Sequence, residues 1–212
     1  MAGLILLSNL YAFVASFGPR PSDFLSRWPP KSVISDLRWW RNVLGTPGVK
    51  RTLRARGKPR DLDIWVDAST DWGVGIVVGQ ARAAWRWAVP LAEWKREGRD
   101  IGCAEMVAVE LLVHYLEQSG MQDADVLVHS DNSGVIGAFE RGRSRNFQVN
   151  NSIRRTEAIC MATNLWISLQ YVTSSNNRAD PVSRGVPDAR LGALPINFEL
   201  PCELVPFLSL DA

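Results

Sequence analysis

Between residues 61 and 88 the chain carries a side-chain pattern that only a β-sheet accommodates. Every second residue over 62–66 is aliphatic, which is the two-residue period of a strand with one buried face. Short turn segments then separate two further apolar runs, at 74–78 and 83–88. Three strands this close together in sequence predict an antiparallel meander.

The residues that follow alternate helical and strand patterns, which is typical of parallel strands joined by crossover helices. After a loop over 90–102, the predicted elements are a helix at 104–118, a strand at 126–130, helices at 133–139 and 146–163, a strand at 165–172, and a final helix from Pro181. The sequence therefore predicts an α/β domain with a mixed five-stranded sheet, three strands antiparallel and then two parallel, flanked by helices.

This predicted domain occupies residues 61–186 and has a segment on either side. The preceding appendage, 1–60, ends in a basic linker, and the following Pro-rich tail, 187–212, is predicted to be irregular. Within the appendage, the apolar segment 4–17 is too short to span a bilayer and predicts a buried helix. A second, amphipathic helix is predicted over 36–44. Its apolar face would carry Leu37, Trp40 and Leu44.

The net charge of +2 is small, but the basic residues are grouped. The two groups are Lys50, Arg51, Arg54, Arg56, Lys58 and Arg60, and Arg141, Arg143, Arg145, Arg154 and Arg155. Such groups suit a polyanionic partner, although the first is equally consistent with a solvated linker.

The cysteine pattern indicates the redox state of the cellular compartment in which the protein resides. Cys103, Cys160 and Cys202 form no Cys-x-x-Cys pair, which argues against a zinc site or a disulfide framework. We therefore expect a reducing, intracellular location, in the cytoplasm or the nucleus, with no membrane partner.

Four carboxylates stand at the ends of predicted strands or the starts of predicted helices. They are Asp67, Glu105, Asp131 and Asp180, separated by 38, 26 and 49 residues. An alternating α/β sheet can bring such positions together. At about 5 Å and an effective dielectric near 20, each like-charged pair costs roughly 3 kcal/mol. A cluster of this kind needs bound cations, and hard oxygen ligands favour magnesium or manganese.

Each carboxylate also has an ordinary structural alternative. Asp67 can bond the following turn, Asp131 and Asp180 can cap helices, and Glu105 can interact with a helix dipole. Glu105 carries the strongest argument for a metal, because it shares a helical face with apolar residues, where an unpaired carboxylate is costly. Glu110 lies off that apolar face and is a weak candidate.

Five segments together resemble the ribonuclease H domain of retroelement reverse transcriptases, and are similar to those of DIRS-type and related gypsy-like elements of fungi. The segments are 65–75, 104–112, 129–136, 142–146 and 171–185, and they include all four carboxylates. The resemblance covers about residues 61–186. The first 50 residues are more weakly similar to the end of the polymerase region that precedes this domain in such elements. The polymerase part of a larger polyprotein is therefore an expected partner.

The resemblance implies hydrolysis of the RNA strand of RNA–DNA hybrids with two Mg²⁺ ions, Mn²⁺ being the other candidate metal. It also implies that Asp67 bridges both ions and that Asp180 holds the ion that activates water. Glu105 and Asp131 would hold the ion that stabilises the leaving oxygen. Many relatives carry a histidine shortly before the last aspartate. Residues 168–174 contain none here, so turnover could be slow unless another group serves.

Several polar residues near these motifs are candidates for contacts with nucleic acid. Ser69, Asn132 and Ser133 flank the acidic positions and are predicted to reach 2′-hydroxyls across the wide minor groove of a hybrid. A second set of residues is predicted to hold phosphates: Arg143, Arg145 and Asn146. A solvated loop with no role in binding is an equally good interpretation of these residues.

Two other functions compete with an active ribonuclease H. One is a catalytically idle module of the same fold that binds nucleic acid or serves a structural purpose, which four intact carboxylates argue against. The other is an integrase-like DNA nuclease, which the final aspartate at Asp180 argues against, since integrases place a glutamate there.

Overall fold

The computed structural model describes residues 7–19, 25–47, 57–96 and 98–211. In this part of the chain, seven strands form one mixed sheet in the order β5-β4-β1-β2-β3-β6, with β7 also paired to β3. The strands are β1 (Arg60–Ala68), β2 (Gly73–Val78), β3 (Ala81–Trp87), β4 (Asp125–Ser130), β5 (Trp166–Tyr171), β6 (Gly192–Ala193) and β7 (Leu208–Asp211). Strands β1, β2 and β3 are antiparallel, and β4 and β5 run parallel to β1.

The predicted α/β class is confirmed, and its five strands are present in the predicted arrangement. The topology is compatible with the ribonuclease H-like fold that the resemblance implies. The strand count differs, because the predicted irregular tail supplies two more short strands. Strand β7 pairs with β3 from Ala84↔Asp211 to Trp87↔Leu208, and β6 pairs with the start of β3. Leu208 is buried against the core, which gives the tail an apolar anchor.

Seven α-helices surround the sheet within the described residues. They are α1 (Ser8–Ala15), α2 (Lys31–Gly45), α3 (Leu91–Arg96), α4 (Ile101–Gln118), α5 (Ser133–Arg141), α6 (Phe147–Thr163) and α7 (Asp180–Ser183). The short helix α3 lies inside the segment 90–102, which was predicted to be a loop. Helix α4 begins earlier than predicted, because the side chain of Asp100 accepts a hydrogen bond from the Cys103 amide at 2.9 Å and caps the helix there.

Helix α4 is the centre of the core. Twelve of its 18 residues are buried, because it packs on β1 and β2 on one side and on α6 on the other. The expectation that Glu110 lies away from the buried face is therefore wrong: its side chain is fully buried. Glu110 accepts hydrogen bonds from Arg155 Nη2 at 2.9 Å and from Ser152 Oγ at 2.5 Å. Burial raises the pKa of Glu110, and the Arg155 guanidinium opposes that shift.

The N-terminal helices contact α6 through one buried carboxylate. Asp36 on α2 is 1% exposed and pairs with Arg154 on α6. The predicted apolar face of α2 is therefore not the face that is buried. Helix α2 buries Val33, Asp36 and Val43, whereas Leu37 and Leu44 are exposed. Helix α1 is also not buried, since Tyr11 and Val14 are each more than half exposed. No helix among the described residues has the length and apolar character needed to cross a membrane.

Close approach of α7 to the sheet depends on Gly75, which pairs with Asp67 across β1 and β2. A Cβ atom at Gly75 would lie 2.6 Å from the Ser183 backbone nitrogen and 2.9 Å from Val182 Cβ. The missing side chain therefore lets α7 sit directly over the end of β1.

We predict that Gly75→Ala destabilises the protein by about 1 to 3 kcal/mol, because the new methyl group meets backbone atoms that cannot move aside cheaply. The measurement is the free energy of unfolding in urea. Gly45→Ala is the matched control, since a Cβ there has nothing within 4 Å. Equal unfolding free energies for the two variants would contradict the packing argument.

Candidate metal centre

Three of the four predicted carboxylates converge on one point. One oxygen atom from each of Asp67, Glu105 and Asp131 lies within 4.8 Å of the others. Asp67 is near the end of β1 and Asp131 follows the end of β4, and these neighbouring strands are parallel. Their carboxyl ends therefore meet at one edge of the sheet. Glu105 reaches the same point from α4, which packs against β1.

Two of the three side chains are buried, and the third, Asp131, is partly exposed. Asp67 is 3% and Glu105 5% exposed. Burial raises the pKa of Asp67 to about 7; a hydrogen bond from Ser183 opposes this shift, and the charges of Asp131 and Asp180 add to it. Burial likewise raises the pKa of Glu105 to about 9, with the charges of Asp67 and Asp131 adding to the shift. A bound cation would offset both the desolvation and the repulsion.

The donor set fits a hard divalent cation. The Oε2 atom of Glu105 is buried and has no hydrogen-bond partner, so it has an unused lone pair. All three ligand candidates are carboxylates, and the group contains neither histidine nor cysteine. This buried cluster of three acidic residues can therefore bind a metal ion.

The structure also tests the ordinary alternatives for these residues. The cap of α5 is Asn132 and not Asp131, because Asn132 Oδ1 accepts from the Val135 amide at 3.1 Å. Glu105 is the fifth residue of α4, beyond the first turn where the helix dipole favours acids. Capping and dipole roles therefore do not account for these two carboxylates.

Asp180 stands beside the group of three, not within it. It is the first residue of α7, and the N-cap position is Ala179, so the alternative role of Asp180 as the helix cap does not hold. Its Oδ1 atom accepts from Arg184 Nη2 at 2.8 Å and from Arg184 Nε at 2.9 Å. Asp180 is nevertheless close enough to Asp67 for its charge to raise the pKa of that group.

Three residues that hold the carboxylates in place were missed from the sequence. Ser183 Oγ donates to Asp67 Oδ2, and Asn177 Nδ2 donates to Asp67 Oδ1 at 3.2 Å. Ser174 Oγ donates to Asp131 Oδ2. All three belong to the segment 174–183, which is rich in serine and asparagine and was interpreted as a loop and a helix start. This abundance of serine and asparagine was the sequence feature that could have indicated hydrogen-bond donors for the carboxylates.

Ser69, one predicted contact for 2′-hydroxyls, has a structural role instead. It is 5% exposed, and its hydroxyl donates to the Ser183 carbonyl at 2.6 Å and accepts from the amides of Trp72 and Gly73. The hydroxyl is therefore not presented to a substrate. By contrast, Ser133 is exposed at the start of α5, beside Asp131.

The three predicted phosphate contacts also differ from one another. Asn146 caps α6 by accepting from the Gln148 amide at 2.8 Å, and its own amide donates to the Gly98 carbonyl at 2.9 Å. It is therefore engaged within the protein. Arg143 and Arg145 are exposed and line a cleft that the N-terminal helices also border. In the other basic group, Lys50, Arg51, Arg54 and Arg56 lie outside the described residues.

Comparison with known proteins does not assign the chain to a group. No family model matches it, and no curated protein matches it either.

We predict that Glu105→Gln stabilises the protein in EDTA at pH 8 and has little effect near pH 4.5. The folded-state pKa of Glu105 is about 9, against an ordinary value of 4.5. The unfolded chain therefore loses this proton first as pH rises. Stability falls between these two values by up to roughly 1.4 kcal/mol per pH unit, and glutamine removes that loss.

The measurement is the melting temperature across pH 4.5 to 8.5 in EDTA, and again with magnesium. Magnesium should stabilise the wild type more than the variant. Glu140→Gln, an exposed carboxylate on α5, is the control and should leave the pH profile unchanged. A wild-type profile that is flat over this range would show that Glu105 is not buried as a lone acid.

Proposed function

We propose that the chain is a metal-dependent endonuclease that cleaves the RNA strand of RNA–DNA hybrids, as a ribonuclease H domain of a retroelement reverse transcriptase. The observation that carries the proposal is the buried trio of carboxylates with one unpartnered oxygen on Glu105. The trio stands where β1 and β4 end, in a sheet of compatible topology. Phosphodiester hydrolysis needs charge neutralisation at this kind of site more than it needs a side-chain nucleophile.

Two magnesium ions are proposed, in agreement with the resemblance. Asp67, Glu105 and Asp131 would hold one, and Asp67 with Asp180 would hold the other. When bound, magnesium supplies positive charge for the phosphate and lowers the pKa of a coordinated water. Both contacts from Arg184 use Oδ1 of Asp180, so Oδ2 is the atom left for a cation.

The chain's own contribution is to fix the acids before a substrate arrives. Ser183 of α7 and Asn177 of the preceding segment hold the two oxygens of Asp67, and Ser174 of that segment holds Asp131. Asn177 and Ser183 are buried whereas Ser174 is exposed, so the direction of the remaining lone pairs is fixed most firmly at Asp67. Preorganised acids of this kind cost little rearrangement during the reaction.

The catalytically idle module remains the second candidate, and one observation favours it. Asp180 is ion-paired with Arg184 and lies outside the group of three carboxylates. While that pair persists, Asp180 offers a second ion at most its Oδ2 atom, which weakens that ion's site.

Asp131→Asn should reduce cleavage of the RNA strand of a hybrid by about a hundred-fold or more, since a metal contributes several kcal/mol to transition-state stabilisation. The assay compares hybrid, duplex DNA and duplex RNA, each with magnesium or EDTA. Asp211→Asn, an exposed carboxylate on β7, is the control and should cleave like the wild type.

Cleavage confined to the hybrid and dependent on magnesium supports the ribonuclease H proposal. Hybrid binding without cleavage would instead support the idle module. Cleavage of duplex DNA would point to an integrase-like nuclease.

Ser183→Ala should raise the magnesium concentration for half-maximal cleavage by about ten- to a hundred-fold, because it releases one oxygen of Asp67. The rate at saturating magnesium should fall less than the apparent affinity. Ser209→Ala on β7, which is exposed, is the matched control. A rate loss that magnesium cannot restore would mean that Ser183 does not act through the metal ligand.

A further inference from the structure

A cleft of about 760 Å³ lies between the N-terminal helices and the segment that joins α5 to α6. Asn9 and Ala12 of α1 and Asp36 of α2 line one side. Gly134 and Ala138 of α5 belong to the other side. The cleft is therefore shared between the appendage and the α/β domain.

The cleft is strongly basic. Four arginines line it against a single carboxylate, and that carboxylate, Asp36, is already paired with Arg154. The remaining three are Arg141, Arg143 and Arg145, which are exposed and make no ion pair or side-chain hydrogen bond with any described residue. A concave surface with three unpaired guanidinium groups attracts phosphates.

The guanidinium of Arg141 lies against the helix that carries it. A Cβ atom at Gly137 would lie 2.8 Å from Arg141 Nη1, so the guanidinium lies against α5 one turn before its own position. Glycine inside a helix costs roughly 0.5 to 1 kcal/mol relative to alanine. At this position it leaves the space that the guanidinium occupies.

The cleft begins beside the metal centre. Helix α5 starts at Ser133, two residues after Asp131, and Gly134 already lines the cleft. From Ser133 to Arg141 the helix rises about 12 Å, at 1.5 Å per residue. That distance corresponds to roughly three to four nucleotides, at 3.4 Å of rise each.

The wall formed by the N-terminal helices is fixed to α6. Besides the pair with Arg154, Asp36 accepts from Asn9 Nδ2 at 2.9 Å. The Trp39 indole donates to the Arg154 carbonyl at 3.2 Å. These contacts tie α1 and α2 to the basic side, so the width of the cleft is set within the protein.

We propose that this cleft binds the sugar–phosphate backbone of nucleic acid three to four nucleotides from the metal centre, and that the N-terminal helices are one of its walls. The distance rests on the proposed nuclease function, whereas the binding requires no cleavage. Three separate guanidinium groups that line one cleft can contact several phosphates, which a continuous backbone offers and a single phosphorylated residue does not. Continuity with the acidic centre along α5 favours nucleic acid over a lipid surface.

The first test is the triple variant Arg141→Gln, Arg143→Gln, Arg145→Gln. Binding of a fluorescein-labelled RNA–DNA hybrid is measured by anisotropy in EDTA, at several salt concentrations. Each lost phosphate contact should reduce the slope of log K against log salt by about 0.7 to 0.9, so the slope should fall by about 2 to 3. At low salt the affinity should drop on the order of ten- to a hundred-fold.

The matched control removes three exposed charges elsewhere: Arg86→Gln, Lys95→Gln and Arg190→Gln. It has the same net charge as the first triple variant but leaves the cleft intact. Equal losses of slope in the two triple variants would overturn the proposal, because the effect would then be one of total charge.

The second test addresses the wall. Ala12→Glu places a negative charge in the cleft and should weaken hybrid binding several-fold, whereas Ala12→Gln should not. Val14→Glu, on the same helix but outside the cleft, is the charge-matched control. If Ala12→Glu and Val14→Glu bind alike, the N-terminal helices are not part of the site.

These outcomes are separable from those for the nuclease. If the protein binds the hybrid through the cleft but never cleaves it, the binding proposal stands and the proposed nuclease activity is wrong. Unchanged binding by the arginine variant, in a protein that does cleave, would remove this inference alone. Vesicles containing phosphatidylserine are the other probe, and arginine-dependent binding to them without binding to hybrid would also overturn it.

Discussion

Mutual repulsion among buried carboxylates is the constraint on which the rest of this structure depends. One oxygen from each of Asp67, Glu105 and Asp131 lies within 4.8 Å of the others, and Asp67 and Glu105 are poorly hydrated there. Nothing within such a group favours its assembly in the absence of a cation. It exists because two parallel strands end side by side and a buried helix crosses them, and those elements are held by apolar packing elsewhere. Folding energy from the core thus maintains an arrangement that is locally unfavourable.

The loop before α7 links this centre to the middle of β1. Arg178 pairs with Asp63, and its Nη2 atom donates to the Gly79 carbonyl at 3.1 Å. Asp63 has a positive φ of 56°, at the point where the β1–β4 register shifts. The neighbouring residue Asn177 reaches Asp67 from the same loop. One irregular position in β1 therefore helps to anchor the loop that orients the principal acid.

Periodicity made the central fold predictable. The meander, the two parallel strands and the buried position of Glu105 all follow from patterns of two or 3.6 residues, which report one buried face. Features that do not produce a single buried face with a regular period were not predicted. Helix α4 is buried on opposite sides, so no single stripe could show that Glu110 is also enclosed. The face of α2 was wrong because a charged residue, Asp36, is the one buried there by its partner on α6.

The supporting residues of the site were beyond sequence reasoning for a different reason. Ser183 and Asn177 contact Asp67 across more than a hundred positions of chain, and hydroxyl and amide groups have no period that reveals a distant partner. The resemblance included their segment but gave a role only to Asp180. Long-range polar contacts become visible only when the strands are in register.

The two strands contributed by residues 187–212 have a consequence for the integrity of the sheet in solution. Without β6 and β7, the outer side of β3 would present unpaired backbone amides and carbonyls, with Trp85 and Trp87 on the same strand. Exposed edges of this kind are templates for pairing with a second chain. The segment therefore closes a surface that would otherwise promote aggregation. A fragment that stopped at residue 186 would retain Asp67, Glu105, Asp131 and Asp180 and still be prone to self-association.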